Sequence, residues 1–459
     1  MSNSLQIIKN ADIAPPTQIN GRLITSEELS ILRDINKVYA HVVIGGKHQI
    51  VSQIDCAING VKLSFGRVDS FHYYFSHLSN VAGLNRGKAW IIWVGKAFFN
   101  NGIGFYPATR FLPKGCYNLF NGWHCKAQEG ECFFIIKHIT EILCNGNQEA
   151  ARYFIQWLAH MFQYPEVKPT VAIFLKSVEG TGKGTLFRLL QKMLGIHTSQ
   201  INGSELVTRN FNGILTAKLL IFADEVNLID RDVFDKMKGL ISEPTCQLEK
   251  KGLEAEPMKN LSRFMFASNH DQVIPAGKRE RRFLLIEASS EKASDKNYWI
   301  EFNSLINTTY AGFFLNYLLT LDISDFDPFN APLTKELIEQ KILNFEHIDL
   351  YFHEKLNLFS PFNGERRISS TGAMNEFIQW IKDKEIQDSK YRNINVSSSR
   401  SLLSKKLKRL GFNRIGQRTD RNGGVFYDVP DIQKLKESFA NEHGLTAYDL
   451  FYSINGTVK

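Results

Sequence analysis

The chain has 459 residues, 43% of them apolar and 22% charged, with a net charge of +8. That length allows two to four domains, and the composition excludes a disordered or low-complexity chain. No apolar run reaches membrane-spanning length and the N-terminus (MSNSLQIIKN) lacks a signal-peptide core, so a globular cytoplasmic protein with no membrane partner is expected.

In chain order, residues 1–35 mix polar residues with Pro15–Pro16 and read as a loosely held lead-in. From Asn36 to Gly130 the chain reads as short strands and turns of a small α+β domain. Tyr39–Val51 (YAHVVI, GGK, HQIV) has the form of a hairpin, and Trp90–Val94 (WIIWV) reads as a further strand. No acidic pair with a following histidine suggests polymerase chemistry here, so a docking or bracing role is expected. Four of the six cysteines fall within Cys116–Cys144, near His124 and His138. Their spacing matches no common zinc finger or ribbon, and they read as reduced thiols.

Between Glu131 and Tyr164 the period turns helical. Phe154, Trp157, Leu158, Met161 and Phe162 recur at steps of three and four as core residues, and Pro165 stops the run. A parallel-sheet signature follows. Strand Val171–Leu175, a glycine-rich turn and a helix carrying Leu186, Leu189, Leu190 and Met193, ended by Gly195, form one β–α unit. Strands Leu219–Ala223, Arg263–Ala267 and Phe283–Glu287 come after it. This alternation predicts an α/β sheet with its ligands at the carboxyl ends of the strands. Residues 292–355 read as helical and as a cap for that sheet.

The segment Val171–Thr185, VAIFLKSVEGTGKGT, is how a strand delivers backbone N–H groups and a lysine ammonium to nucleotide phosphates. It departs from G-x-x-x-x-G-K-[ST] twice: Ser177 stands where the first glycine belongs, and Gly184 follows Lys183. The Mg²⁺-binding hydroxyl is then Thr185, one position late. Gly180, Thr181, Gly182, Lys183, Gly184 and Thr185 are the candidate ATP-binding residues. The strand Leu219–Ala223 ends in Asp224–Glu225, a pair suited to holding Mg²⁺ (Asp224) and polarising the attacking water (Glu225). Asn269, at the tip of Arg263–Ala267, can bond both a γ-phosphate and that water. Arg282, thirteen residues later in GKRERRF, can stabilise charge spreading over phosphate oxygens, with Arg281 in reserve. Lys250–Lys251–Gly252 reads as a hairpin tip holding two ammonium groups toward a phosphate backbone.

Together these residues resemble the superfamily 3 helicases of DNA viruses and phages, a branch of the AAA+ ATPases. The order is phosphate loop, LLIFADE, lysine hairpin, FMFASN, RRF, within about 110 residues. The closest likeness is to the helicase half of phage and prophage primase–helicases, where EGTGKGT with glycine after the lysine is usual. The resemblance implies an AAA+ P-loop core, ATP with Mg²⁺, single-stranded and forked or duplex DNA as partner, and a homo-hexameric ring in a bacterial host cell. It assigns Lys183 to the β/γ-phosphates, Asn269 as phosphate sensor, and Arg282 as a finger on the neighbouring subunit's ATP. Lys250 and Lys251 become the DNA-tracking tip, and Lys238 a second sensor in trans. The primase of larger relatives is missing, so a separate primase or host replication proteins are implied as partners.

Residues 360–459 read as a separate module. A helix around Met374–Lys384 precedes Ser397–Leu410 (SSSRSLLSKKLKRL) and a glycine-turn hairpin, the outline of a winged helix. Lys390 to Arg421 holds ten basic residues against the single acid Asp420, a net +9 beside the whole chain's +8. Lys405, Lys406, Arg409 and Arg418 are the DNA-contact candidates there. The expected organisation is a lead-in (1–35), an accessory domain (36–130), the ATPase core with its helical prelude (131–290), a helical lid (291–359) and the winged helix (360–459). A replicative helicase is the leading expectation. An AAA+ initiator or loader, or an ATP-switched DNA-binding regulator, stands as the alternative.

Overall fold

The computed structural model describes residues 18–56, 60–203, 205, 215–248, 256–358, 360–387, 396–415 and 424–452. The chain divides into two compact units: Met1–Asp271 with Arg282–Pro332, and Gln272–Arg281 with Leu333–Lys459.

After a short antiparallel pair, Gln18–Ile19 with Arg22–Leu23, the first helix, α1 (Ser26–Val38), begins inside the stretch expected to be a loose lead-in. Thr25 and Glu28 close a capping box, and the Glu28 carboxylate also accepts from Ala82 N–H at 2.7 Å. Asn36 holds the far end, donating to Gly95 O and accepting from Trp90 Nε1 and Ala97 N. Strands β1 (Tyr39–Ile44), β2 (Lys47–Cys56) and β3 (Gly60–Arg67) form an antiparallel meander, and β4 (Phe98–Phe99) adds parallel to β1. The expected hairpin is β1–β2. Of the expected strand Trp90–Val94, Trp90–Ile92 instead belong to helix α2 (Arg86–Ile92), Trp93 is its C-cap and Val94 lies in a turn. Asn85 caps it by accepting from Gly87 N, and Ala89, Trp90 and Trp93 turn inward together, a helical spacing that the apolar run WIIWV conceals.

Helix α3 (Gln148–Gln163) follows. Buried Arg263 closes its end, donating to Tyr164 O (3.2 Å) and Val167 O (2.8 Å). Five parallel strands form the central sheet: β5 (Ala172–Lys176), β6 (Thr198–Asn202), β7 (Leu220–Asp224), β10 (Arg263–Ser268) and β11 (Phe283–Glu287). Their spatial order is β6–β7–β10–β5–β11. The strand feeding the glycine-rich turn is therefore flanked by the strand ending near Asn269 and the strand that begins after Arg282. Both faces are covered, so these strands are continuous apolar runs. Phe174, Phe266 and Phe283 meet at centroid separations of 5.6–6.3 Å, each pair worth about 0.5–1.5 kcal/mol beyond area burial.

Helix α4 (Lys183–Leu194) connects β5 to the edge strand β6, which sequence reading missed because TSQIN is polar. Helix α5 (Arg231–Ser242) leads to a two-stranded hairpin, β8 (Thr245–Leu248) with β9 (Glu256–Lys259). Helices α6 (Lys296–Ile306) and α7 (Tyr310–Thr320) complete the unit.

The second unit contains α8 (Lys335–Leu343), α9 (His347–Asn357), α10 (Ser370–Gln387), α11 (Val396–Arg409) and α12 (Ile432–Glu442). A small antiparallel sheet joins Arg367–Ser369, Phe426–Asp428 and Asn413–Ile415, with the middle range central. Helices α8 and α9 fall within the expected lid (291–359), yet they belong here. Tyr351, Phe352 and Leu356 share one core with Phe377, Leu403, Leu407 and Phe439. No helix among the described residues is long and apolar enough to cross a membrane.

Candidate nucleotide-binding site

The turn after β5 is braced from within. Ser177 N–H donates to Ser268 O at 2.9 Å, tying the loop to the neighbouring strand. Thr181 Oγ1 donates to Ser177 Oγ at 2.8 Å, and the Ser177 hydroxyl donates to Val178 O. Ser177 is buried, so the residue that replaces the motif's first glycine serves the loop's own structure. Gly180 (φ +80°) and Gly182 (φ +89°) are left-handed, and Gly182 caps α4. A Cβ on Gly182 would stand 2.5 Å from Trp299 Cη2 and 2.7 Å from His138 Cε1, so both backbone and packing require glycine there. A Cβ on Gly184 would meet nothing within 4 Å.

Thr185 and Leu186 N–H bond to Gly182 O at 3.0 Å each, while the helix itself has no acceptor for its first N–H groups. Those donors and the dipole make the start of α4 attractive to an anion. Lys183 folds back over the loop, Nζ donating to Ser177 O at 3.3 Å. Burial lowers its pKa, partly offset by the Asp224 and Glu179 carboxylates.

Across the cavity β7 ends in Asp224, whose Oδ1 accepts from Glu225 N–H at 3.0 Å. Glu225 adopts φ +54°, a left-handed conformation that costs a non-glycine residue about 1–3 kcal/mol and that gathers at functional sites. Val226 N–H then returns to Ala267 O at 2.8 Å. Gly180 to Thr185, Asp224, Glu225, Ser268 and Asn269 all line one cavity of about 610 Å³. The sequence-expected loop, acidic pair and sensor position therefore meet at one place. Thr185 hydroxyl and Asp224 carboxylate offer the hard oxygen donors that suit Mg²⁺, which takes one or two protein ligands beside phosphates and water. Thr185 Oγ1 also accepts from Arg188 Nη2 at 3.3 Å.

Arg282 is not in this cavity. It precedes β11, at the opposite edge of a parallel sheet, about 16 Å away at ~3.3 Å per residue over one strand. Half-buried, it donates from Nε to Ser242 Oγ at 3.2 Å. Lys238 is paired with Asp235 and lies over the Phe234 ring. Arg281 is exposed.

Sequence reading missed Arg188, Trp299 and Asn303, which complete the cavity, and His138 behind it. His138 lies in a π-helical turn (His138–Leu143), buried against Gly182, with Nδ1 hydrogen-bonded to Tyr298 Oη at 2.8 Å. Burial takes its pKa down to about 4. The only signal in the chain was the aromatic run YWIEF after the Asp295 cap, which carries no spacing rule to the loop.

Of the DNA-contact candidates, Lys250, Lys251 and Arg418 lie outside the described residues. Lys405 is exposed on α11, as is Arg409, which reaches Glu442 at 3.4 Å. Lys406 is corrected: it is 3% exposed and held by Asp349 and Glu442 at 2.5 Å each, an internal ion pair rather than a surface contact. Cys116, Cys132 and Cys144 are buried thiols, and no group of three or more His, Cys, Asp or Glu among the described residues is placed to hold a metal ion.

Residues 175–282 match a family of unknown function, DUF5906. The DNA primase-polymerase of Nitratiruptor phage NrS-1 is 28% identical over 169 residues, 36% of this chain and 23% of that protein. An apo structure of the NrS-1 C-terminal region superposes with a TM-score of 0.61 at 16% identity, covering 89% of this chain and all of that one. A second apo structure of that region gives 0.59 at 17% identity, covering 87% and 99%. The chain is homologous to part of a phage DNA primase-polymerase and shares the fold of that protein's C-terminal region, its sequence match spanning less than a quarter of the relative's length.

Proposed function

We propose that this protein is an ATP-driven replicative DNA helicase of a phage, prophage or related mobile element, built on an AAA+ P-loop core with a C-terminal winged helix. The observation that carries the reading is the meeting of Lys183, Asp224, Glu225 and Asn269 in one cavity at the carboxyl edge of a parallel sheet. The Asn269 strand is the central one of the five, with the glycine-loop strand on one side of it and the Asp224 strand on the other. Lys183 and the N-terminus of α4 bind the β/γ-phosphates, and Thr185 and Asp224 hold Mg²⁺. Glu225 orients the lytic water, and Asn269 registers the γ-phosphate. Mg²⁺ supplies charge neutralisation between the phosphates when bound.

Arg282, at the far edge of its own sheet, acts on ATP held by a neighbouring copy, as in a homo-hexameric ring. Lys250 and Lys251, with the exposed Lys405 and Arg409 of α11, grip DNA. The phage relative adds a replication context.

DNA-stimulated ATPase activity is the test. Turnover should vanish in Lys183→Ala and in Glu225→Gln, and strand displacement on a forked substrate should require both residues. Turnover without displacement would favour an initiator or loader. DNA binding that responds to ATP without turnover would favour a regulator, and absence of any nucleotide or DNA dependence would refute the reading.

A further inference from the structure

Two groups of residues from different elements line the cavity. Asp224, Glu225 and Asn269 come from the strand tips. Ala293, Trp299 and Asn303 come from α6 and the segment before it. This second wall presses on the glycines of the phosphate loop. A Cβ on Gly180 would stand 3.2 Å from Ala293 O, and one on Gly182 would overlap Trp299. A triphosphate with its γ end at the acidic pair and its middle on the loop leads its nucleoside toward this wall.

We infer that Trp299 is the stacking platform for the nucleobase and that Asn303 is the amide that contacts the nucleoside, which rests on the nucleotide-site reading above. Trp299 is the only aromatic residue among the described residues lining the cavity. Its ring is fixed before any ligand arrives. Nε1–H donates to Lys292 O at 2.7 Å, and the side chain packs on Phe302 and edge-to-face on His138. A half-buried, pre-oriented indole offers contact area at little conformational cost. Asn303 is oriented by chemistry alone: Arg188 can only donate, so its Nη2 at 2.6 Å fixes Asn303 Oδ1 toward itself. The Asn303 amide then presents its N–H₂ pair, a donor for an acceptor nitrogen of a purine or an oxygen of the ribose. Arg188 also reaches Thr185 Oγ1, so one guanidinium links the nucleoside wall to the Mg²⁺-side hydroxyl. The same cavity thus takes a whole nucleoside triphosphate, and Trp299 distinguishes it from a bare polyphosphate.

The experiment compares competition by ATP and by inorganic tripolyphosphate against a fluorescent ATP analogue on the full-length protein. Base–aromatic stacking removed by alanine costs about ten- to a hundredfold in affinity. Trp299→Ala should lose that much ATP affinity while tripolyphosphate binds as in wild type. Trp299→Phe, which keeps an aromatic ring against Gly182, should stay within about threefold for both ligands. Lys183→Ala should lose both. Equal loss of ATP and tripolyphosphate in Trp299→Ala would make Trp299 a brace for the loop and overturn the proposal, as would no loss of either. If wild type binds tripolyphosphate but gains nothing from the nucleoside, the phosphate site stands and the base platform falls. If it binds neither, the nucleotide-site reading itself falls.

Discussion

Gly182 and Gly184 lie two residues apart on the same glycine-rich turn, and the structure gives them opposite tolerance. Gly182→Ala places a methyl group at φ +89°, a left-handed conformation costing about 1–2 kcal/mol. The methyl would also overlap Trp299 and His138 at 2.5–2.8 Å. Both neighbours are held, Trp299 by Lys292 O and His138 by Tyr298 Oη, so overpacking adds about 1–3 kcal/mol. The loop relieves this by leaving its native position, so about 2–5 kcal/mol passes into ligand affinity, a loss of roughly thirtyfold to several thousandfold. Gly184→Ala has open space and a helical position, and should gain about 1 kcal/mol in stability with nucleotide affinity little changed. Equilibrium binding of a fluorescent ATP analogue together with thermal unfolding reads both effects. Equal loss of affinity in the two variants would show that ligand approach, not packing against Trp299 and His138, sets the need for glycine, and would refute this reasoning.

Arg282→Ala should bind ATP nearly as wild type yet lose about 10³-fold in turnover, checked by steady-state ATPase with and without DNA. Unchanged turnover would break the shared-site mechanism. Lys406→Met should leave Asp349 and Glu442 facing each other without the lysine between them, with only His443 and Arg409 still beside them, destabilising the C-terminal unit by about 3–5 kcal/mol in urea unfolding. Lys405→Met, on the exposed face, should weaken DNA binding and its salt dependence without that loss. His138, His160 and His197 are buried, with pKa values lowered by burial to about 4, 3 and 4. Each stays neutral when folded and gains a proton on unfolding, so stability is full above about pH 6.5 and falls as pH drops toward 4. Between pH 7.5 and 5.5 each histidine should cost about 1.4 kcal/mol, about 4 kcal/mol for the three, seen as a lower urea midpoint. An unchanged midpoint would contradict their burial.

The parallel strands were legible in the sequence because both faces of the sheet are covered, which leaves uninterrupted runs such as AIFLK, LIFAD and RFMFAS. Their carboxyl-end residues followed at once, since topology places strand tips together. What the sequence hid was arrangement without a repeating signal. The WIIWV run has no polar residue to mark its helical period, and β6 is a polar edge strand. Trp299 joins the site by packing from 116 residues beyond Lys183, which no local pattern encodes. Lys406 shows a different limit. A basic stripe counted along the chain includes residues that the fold turns inward toward acids on α9 and α12.

In the proposed ring, the separation between Arg282 and the glycine-rich loop has a consequence for mixed populations. A copy disabled at Lys183 still presents a sound arginine edge, and one disabled at Arg282 still carries a sound loop. Hybrids of the two would rebuild some intact junctions, so blending two dead preparations should restore a fraction of hydrolysis. Conversely, a copy lacking both groups would spoil two junctions of such a ring, the one it loads and the one it serves, so activity should fall faster than the fraction of doubly defective copies.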